Sequence, residues 1–328
     1  VTSPFDTVMA EAIAEGEKAR LHAPPNPWVG AIVLDTEGVE RGRGHTQVPG
    51  SSHAEVEALA LAKDGARGGT LVVTLEPCCH VGRTGPCVEA IIEAGIAHVV
   101  VGTLDPDPRV AGQGVSALRD AGLTVTTGVL IEEVRAQLAP YLWHRITGRP
   151  YVIAKVASTL DGVVAMADGS SQWITGDAAR HDGHLLRAQS QAIIVGAGTV
   201  RSDNPALTAR LGDIVLEPLR VVLGSAPLDA KVRPCLERTG SLRNILDELG
   251  ELDVLQVLIE GGPSTVSAFL EAELVNHVVW YLAPAFAGGD GTTAALRTLS
   301  TGTLAQLRRA RFSGVRPIGD DIRVDVEI

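Results

Sequence analysis

Three of the chain's four cysteines fall within ten positions, in "EPCCHVGRTGPC" (76–87), and upstream "HAEVEAL" (53–59) sets a histidine and a glutamate two residues apart. Zinc takes thiolates and imidazoles in tetrahedral geometry, and a catalytic zinc keeps three protein ligands with the fourth position open. His53, Cys78 and Cys87 supply such a set. Any fold that uses them must bring residue 53 beside residues 78 and 87. The local pattern says how: His53 starts a helix that contains Glu55, strand 70–76 ends at the loop carrying Cys78, and Cys87 opens the next helix. Helix N-termini favour thiolates.

Glu55 need not touch the metal. Metal binding lowers the pKa of water from about 15.7 toward ~7. A carboxylate beside that water can carry its proton to a ring nitrogen and then to departing ammonia, which is general acid–base work. H-x-E with P-C-x-x-C is the pattern of zinc deaminases acting on cytosine or adenine; here eight residues rather than two separate Cys78 from Cys87. The alternatives are a closed structural zinc site with His80 as fourth ligand, or thiols buried without metal. Cys79, whose side chain should diverge from that of Cys78, reads as a bystander.

A chain of 328 residues is long for one core, so two domains are expected. In the first half, residues 4–20 carry apolar positions at helical spacing after Ser3 and Pro4, an N-cap and first turn. Short β-branched strands follow at 28–35, 70–76, 97–105 and 123–129, with helices at 54–64, 86–94 and 112–121. A helical stretch, 131–146, runs into "TGRP" (147–150), where the boundary is placed: 1–147 and 148–328. The second half restarts the alternation, with strands at 151–157, 191–195, 219–223, 254–259, 277–283 and 321–327 and helices near 177–188, 241–249 and 264–271. Strands alternating with helices imply an α/β fold class around largely parallel sheets.

A formal charge of −11 argues against a nucleic-acid surface, and no apolar run is long enough to span a bilayer. The N-terminal residues show no secretory signal, and four cysteines do not make a disulfide framework, so a reducing cytoplasm is expected.

Considered alone, the second half holds no metal cluster and no nucleophile–base pair. In "LIEGGPSTVSAF" (258–269) a strand ending in Glu260 runs through Gly261-Gly262 into a helix start, a natural anion site. "VGAGTV" (195–200) repeats the device. Neither is a G-x-G-x-x-G fingerprint, so a Rossmann fold is not assigned. The competing reading is that these glycines only permit close helix–strand packing.

"HAEVEAL", "TLEPCCHVGRTGPC" and "DPDPRVAGQG" resemble the deaminase half of the bifunctional riboflavin-biosynthesis deaminase/reductase family, in which the long spacer between cysteines is the distinguishing feature. The resemblance implies a cytidine-deaminase-like α/β/α domain, one Zn2+ and hydrolytic deamination of 2,5-diamino-6-ribosylamino-4(3H)-pyrimidinone 5′-phosphate. It assigns Asn26 to the pyrimidine edge, His45 and Arg83 to the ribose phosphate, and Asp105 and Asp107 to ribose hydroxyls. Taken singly, an Asn before Pro and Asp-Pro pairs are ordinary turn residues. Cys79 stands where the family commonly has Ser or Asn, and Gly85 where it commonly has Pro.

"KVASTLDG" (155–162), "SQWIT" (171–175), 185–210 and "LIEGGPSTVSAF" are similar to the same family's reductase half, which resembles dihydrofolate reductase and reduces the ribosyl to a ribityl chain with NADPH. Carried over, Ala157, Trp173, Thr199, Asp203, Ser225, Gly262, Pro263, Ser264, Thr265, Val266, Ser267 and Ala268 lie along the cofactor. Lys155, Ser171, Arg187, Leu207, Arg210 and Glu260 line the substrate site. Trp173 could equally be core. The resemblance implies a further strand between 221–234 and 241–250, where only "CLERTG" stands, beside Ser225. It also implies small-molecule substrates and a homo-oligomer, dimer or tetramer. The other readings are a nucleoside or tRNA deaminase with an appended domain, or an enzyme with one active half.

Overall fold

A computed structural model describes residues 3–79, 85–297 and 302–328 and divides into two units, Val1–Gly148 and Arg149–Ile328. In the first, α1 (Asp6–Glu17), β1 (Gly30–Leu34), β2 (Glu40–His45), α2 (Ala54–Ala62), β3 (Thr70–Leu75), α3 (Cys87–Glu93), β4 (His98–Thr103), α4 (Gln113–Asp120), β5 (Thr124–Thr127), α5 (Ile131–Gln137) and α6 (Ala139–Thr147) follow in order. The sheet order is β2-β1-β3-β4-β5. β3, β4 and β5 run parallel, while β1 is antiparallel to both neighbours, so this sheet is half rather than largely parallel. β1, β3 and β4 form because their aliphatic runs are buried on both faces between helix layers, giving an α/β/α unit.

β2 is not visible in the apolar pattern. Its inward positions are Gly42 and Gly44, and a Cβ there would stand 2.2 Å from the Ala58 carbonyl and 2.5 Å from the Ala54 carbonyl of α2. Only glycine lets this strand and helix approach so closely. Gly44→Ala is expected to push back the turn bearing His53 and Glu55 and to cost the first unit about 1–3 kcal/mol, the usual range for overpacking, read as a lower urea midpoint for its transition.

Two other local expectations are revised. α1 begins at Asp6 with Phe5 in the cap position, and Ser3 instead organises the turn before it by accepting the Phe5 N–H. The single helix expected at 131–146 breaks at Leu138, because Pro140 has no N–H to continue the ladder and instead sits in the first turn of α6.

The second unit comprises β6 (Tyr151–Thr159), β7 (Val163–Ala165), α7 (Asp177–Ala188), β8 (Ala192–Gly196), α8 (Ala197–Asp203), β9 (Ala209–Leu211), β10 (Ile214–Leu216), β11 (Leu219–Leu223), β12 (Leu236–Arg238), α9 (Leu242–Glu251), β13 (Gln256–Ile259), α10 (Pro263–Glu271), β14 (His277–Ala283), β15 (Thr293–Ala294), β16 (Arg311–Ile318) and β17 (Asp321–Glu327). Its main sheet runs β12-β11-β8-β13-β6-β14-β17-β16. The strands from β12 through β14 are parallel, and β17 and β16 close it antiparallel. One apolar cluster joins α9 and α10 to one set of strand residues, and a second joins α7 and α8 to the alternate set. The segment "CLERTG" does contain the further strand: Leu236–Arg238 pairs in parallel with β11.

Among the described residues, no helix is long and apolar enough to cross a membrane.

Candidate active sites

His53 occupies the N-cap of α2 and Cys87 is the first residue of α3. Cys78 follows β3 and meets both helix starts. The three ligand atoms lie within 4.8 Å of one another. His53 Nδ1 is 3.2 Å from Cys87 Sγ and 3.6 Å from Cys78 Sγ. Bond lengths of about 2.3 Å to sulfur and 2.0–2.1 Å to nitrogen in a tetrahedron imply an S···N edge of roughly 3.5 Å. The donor set therefore fits zinc in kind and in spacing. Among the described residues no fourth His, Cys or carboxylate joins the group; His80 lies outside them.

Glu55, in the first turn of α2, is 4% exposed. Its carboxyl lies within hydrogen-bond reach of the Cys87 thiol, and burial pushes its pKa up, against the pull of His53. Cys78 is drawn the other way, to about 4, by hydrogen bonds from the Cys87 thiol, the His53 ring and the Cys87 backbone N–H. A buried carboxyl placed beside the three ligand side chains is positioned for the proton transfers that a metal-assisted deamination requires.

The other positions assigned to the first site fall on the surrounding loops. Asn26 is half-buried in the turn before β1, its N–H bonded to the Ala23 carbonyl. His45 ends β2, with Nδ1 2.8 Å from the buried Glu15 carboxylate. Asp105 and Asp107 are buried in the loop after β4. Asp105 accepts the Tyr141 hydroxyl at 3.0 Å and the Asp107 N–H at 2.9 Å. Arg109 grips Asp107 through Nε and Nη2, holding its carboxyl down at about 2. One turn further along α6 than Tyr141, Arg145 donates to the Pro25 carbonyl at 3.3 Å. Cys79 directs its sulfur to the Arg109 carbonyl at 3.8 Å. Arg83 lies outside the described residues. Sequence reading passed over Glu15, Glu76 and Tyr141. Only Glu76 leaves a trace, as an acid closing an otherwise apolar strand.

In the second unit, Lys155 and Ala157 point from β6, and Arg187 from the last turn of α7 reaches Glu260 after β13. Arg187 donates Nε and Nη2 (2.7 Å) to the Glu260 carboxylate and Nη1 to the Thr208 carbonyl at 3.1 Å. Burial opposes charge on Glu260, yet Arg187 and then Lys155 keep its pKa low. Burial depresses Lys155, with Arg187 adding to it, and Lys155 Nζ sits 5.7 Å from the Tyr281 ring centroid. Arg210 is exposed on β9, its N–H bonded to His184 Nδ1, whereas Leu207 is packed in the core.

Parallel β8 and β13 are neighbours, so their carboxyl ends open side by side, the usual place for ligands in such sheets. There the Gly262 N–H donates to Thr199 Oγ1 at 2.8 Å, and a Cβ on Gly196 would stand 2.5 Å from Thr265 Oγ1. Close packing of the two turns is thus one task of these glycines. Pro263, Ser264, Thr265 and Ala268 follow along α10, but Val266 and Ser267 turn into the core, where Ser267 accepts the Arg297 N–H. Asp203 and Ser225 are exposed, Ser171 is half-buried, and Trp173 is 71% exposed with Arg180 stacked 4.8 Å from its ring, so it is not a core residue.

Residues 3–103 match the cytidine and deoxycytidylate deaminase zinc-binding region, and residues 150–324 match the RibD C-terminal domain. Fold and site define a zinc-binding deaminase joined to a reductase in one chain. The chain is 45% identical over 356 residues to riboflavin biosynthesis protein RibD of Chlamydia trachomatis, covering 97% of this chain and 94% of that one. Among solved structures, RibD of Acinetobacter baumannii (form 1) superposes with a TM-score of 0.91 at 36% identity, with 98% of each chain covered. A diaminohydroxyphosphoribosylaminopyrimidine deaminase/5-amino-6-(5-phosphoribosylamino)uracil reductase from Thermotoga maritima gives 0.88 at 34%, again with 98% of each covered. The chain belongs to the RibD family, the bifunctional deaminase/reductases of riboflavin biosynthesis. A nucleoside or tRNA deaminase with an unrelated appended domain is thereby set aside, since both halves match within one family.

Proposed function

We propose that residues 1–147 hydrolytically deaminate 2,5-diamino-6-ribosylamino-4(3H)-pyrimidinone 5′-phosphate and that residues 148–328 then reduce its ribosyl group to ribityl with NADPH. The observation that carries the first step is the convergence of His53, Cys78 and Cys87 to tetrahedral-edge spacing with Glu55 buried against Cys87. Bound zinc supplies a water that is nucleophilic near neutral pH. Glu55 would pass one proton of that water to the ring nitrogen and the second, from the hydroxyl left on the ring carbon, to the departing amine. Asn26 orients the pyrimidine, His45 and Arg83 hold the phosphate, and Asp105 and Asp107 face the ribose.

In the second step NADPH supplies hydride to the sugar's C1′. Ala157, Trp173, Thr199, Asp203, Ser225, residues 262–265 and Ala268 would hold the cofactor, with Val266 and Ser267 anchoring α10 behind them. Lys155, Arg187, Arg210 and Glu260, with Ser171, form the substrate wall, and Leu207 backs it from the core. Lys155, beside Glu260 and Arg187 with its pKa depressed by burial, is a proton donor suited to the reduced sugar oxygen. The protein acts as a homo-oligomer; β16, an edge strand exposing Phe312 and Val315, is the surface that supports this. Its free thiols suit the cytoplasm.

The test is metal removal. Stripping zinc with a strong chelator is expected to abolish ammonia release from the diaminopyrimidine phosphate and leave NADPH oxidation on the pre-deaminated substrate intact, with zinc restoring the first activity. Ammonia release that persists without metal, or no NADPH oxidation by zinc-loaded protein, contradicts the assignment.

A further inference from the structure

Glu76 directly follows β3, 3% exposed and two residues before Cys78. Its carboxylate gathers three backbone donors from one distant segment. Oε2 accepts the Asp105 N–H at 3.2 Å and the Gly112 N–H at 2.9 Å, and Oε1 accepts the Val115 N–H at 3.0 Å. Those donors span the loop that carries Asp105 and Asp107 and the first turn of α4. A second observation locks the same junction from the other side: a Cβ on Gly114 would stand 2.1 Å from the Pro77 carbonyl. The chain at 76–78 and the chain at 105–115 therefore move as one block.

We infer that Glu76 is a positioning residue of the deaminase, fixing the distance between the metal ligand Cys78 and the Asp105/Asp107 loop. This rests on the reading of that loop as substrate-facing. A carboxylate is required because all three groups aimed at it are donors. A glutamine would turn its own NH2 toward at least one of them, and a buried donor facing a donor forces the segments apart. The metal keeps its three ligands, while the far wall of the site retreats.

The test uses the full-length, zinc-loaded enzyme carrying Glu76→Gln, Gly114→Ala or Asp107→Asn, with deaminase KM and kcat, zinc content and reductase rate measured for each. Glu76→Gln and Gly114→Ala are each expected to raise deaminase KM by about 10- to 100-fold, the scale of an ångström-sized misplacement. Zinc content, kcat and the reductase rate should change little. An unchanged KM overturns the inference, as does zinc loss with unchanged KM, which would make Glu76 a support for the metal alone. If Glu76→Gln does not fold, Gly114→Ala decides, since it leaves the carboxylate in place. Asp107→Asn separates the two levels. If it leaves KM unchanged, the loop is not substrate-facing and the inference falls with that reading. If it raises KM while Glu76→Gln does not, only the positioning role falls.

Discussion

Glu55→Gln is expected to slow ammonia release by about 10²- to 10⁴-fold, the contribution of a general acid–base group, while the reductase rate on pre-deaminated substrate stays at the parent level. The substitution keeps the size and buried place of the side chain and removes only its capacity to take and return a proton. Zinc should remain bound, because His53, Cys78 and Cys87 are the ligands and Glu55 is not among them. Metal analysis alongside ammonia and NADPH assays checks all three statements. Loss of both activities would mean that the two halves are not independent catalysts.

Glu260→Leu is the counterpart in the second unit. Arg187 now faces the carboxylate with two donors in a mostly buried site beside Lys155. Removing the acid leaves the Arg187 guanidinium without its counter-charge, a change that costs about 3–5 kcal/mol when a buried pair is broken. Urea unfolding should show the second unit's transition moved down, with reductase activity lost and ammonia release retained. Adding Arg187→Met should recover much of the stability, since the unpaired guanidinium is then gone as well, but not the reductase activity. The pair also has a pH signature. Glu260 titrates below its ordinary 4.5, so its contribution is present in full above that pH and is lost as the pH falls through the depressed value.

Much of the fold was legible because burial writes itself into the chain. The aliphatic runs of β1, β3, β4, β8 and β13 and the ligand-bearing helix starts all announce themselves. What stayed hidden has a physical cause in each case. β2 shows its helix nothing but hydrogen atoms, so no apolar alternation exists to be read. β16 is an edge strand with little of either face covered, and its residues are accordingly mixed. In the site, the metal set was readable because few side chains can bind zinc. Glu15, Glu76 and Tyr141 were not, because their partners are a ring, backbone amides and a carboxylate from segments remote in the chain.

The last helix of the first unit bears on where the chain can be divided. Tyr141 and Arg145 tie α6 to the loops of Asp105 and of Pro25-Asn26. α6 is therefore a brace of the deaminase rather than a tether leading away from it. A fragment meant to deaminate on its own must run through Gly148, and one clipped at the end of α4 or β5 would carry every zinc ligand yet leave its substrate loops unfastened.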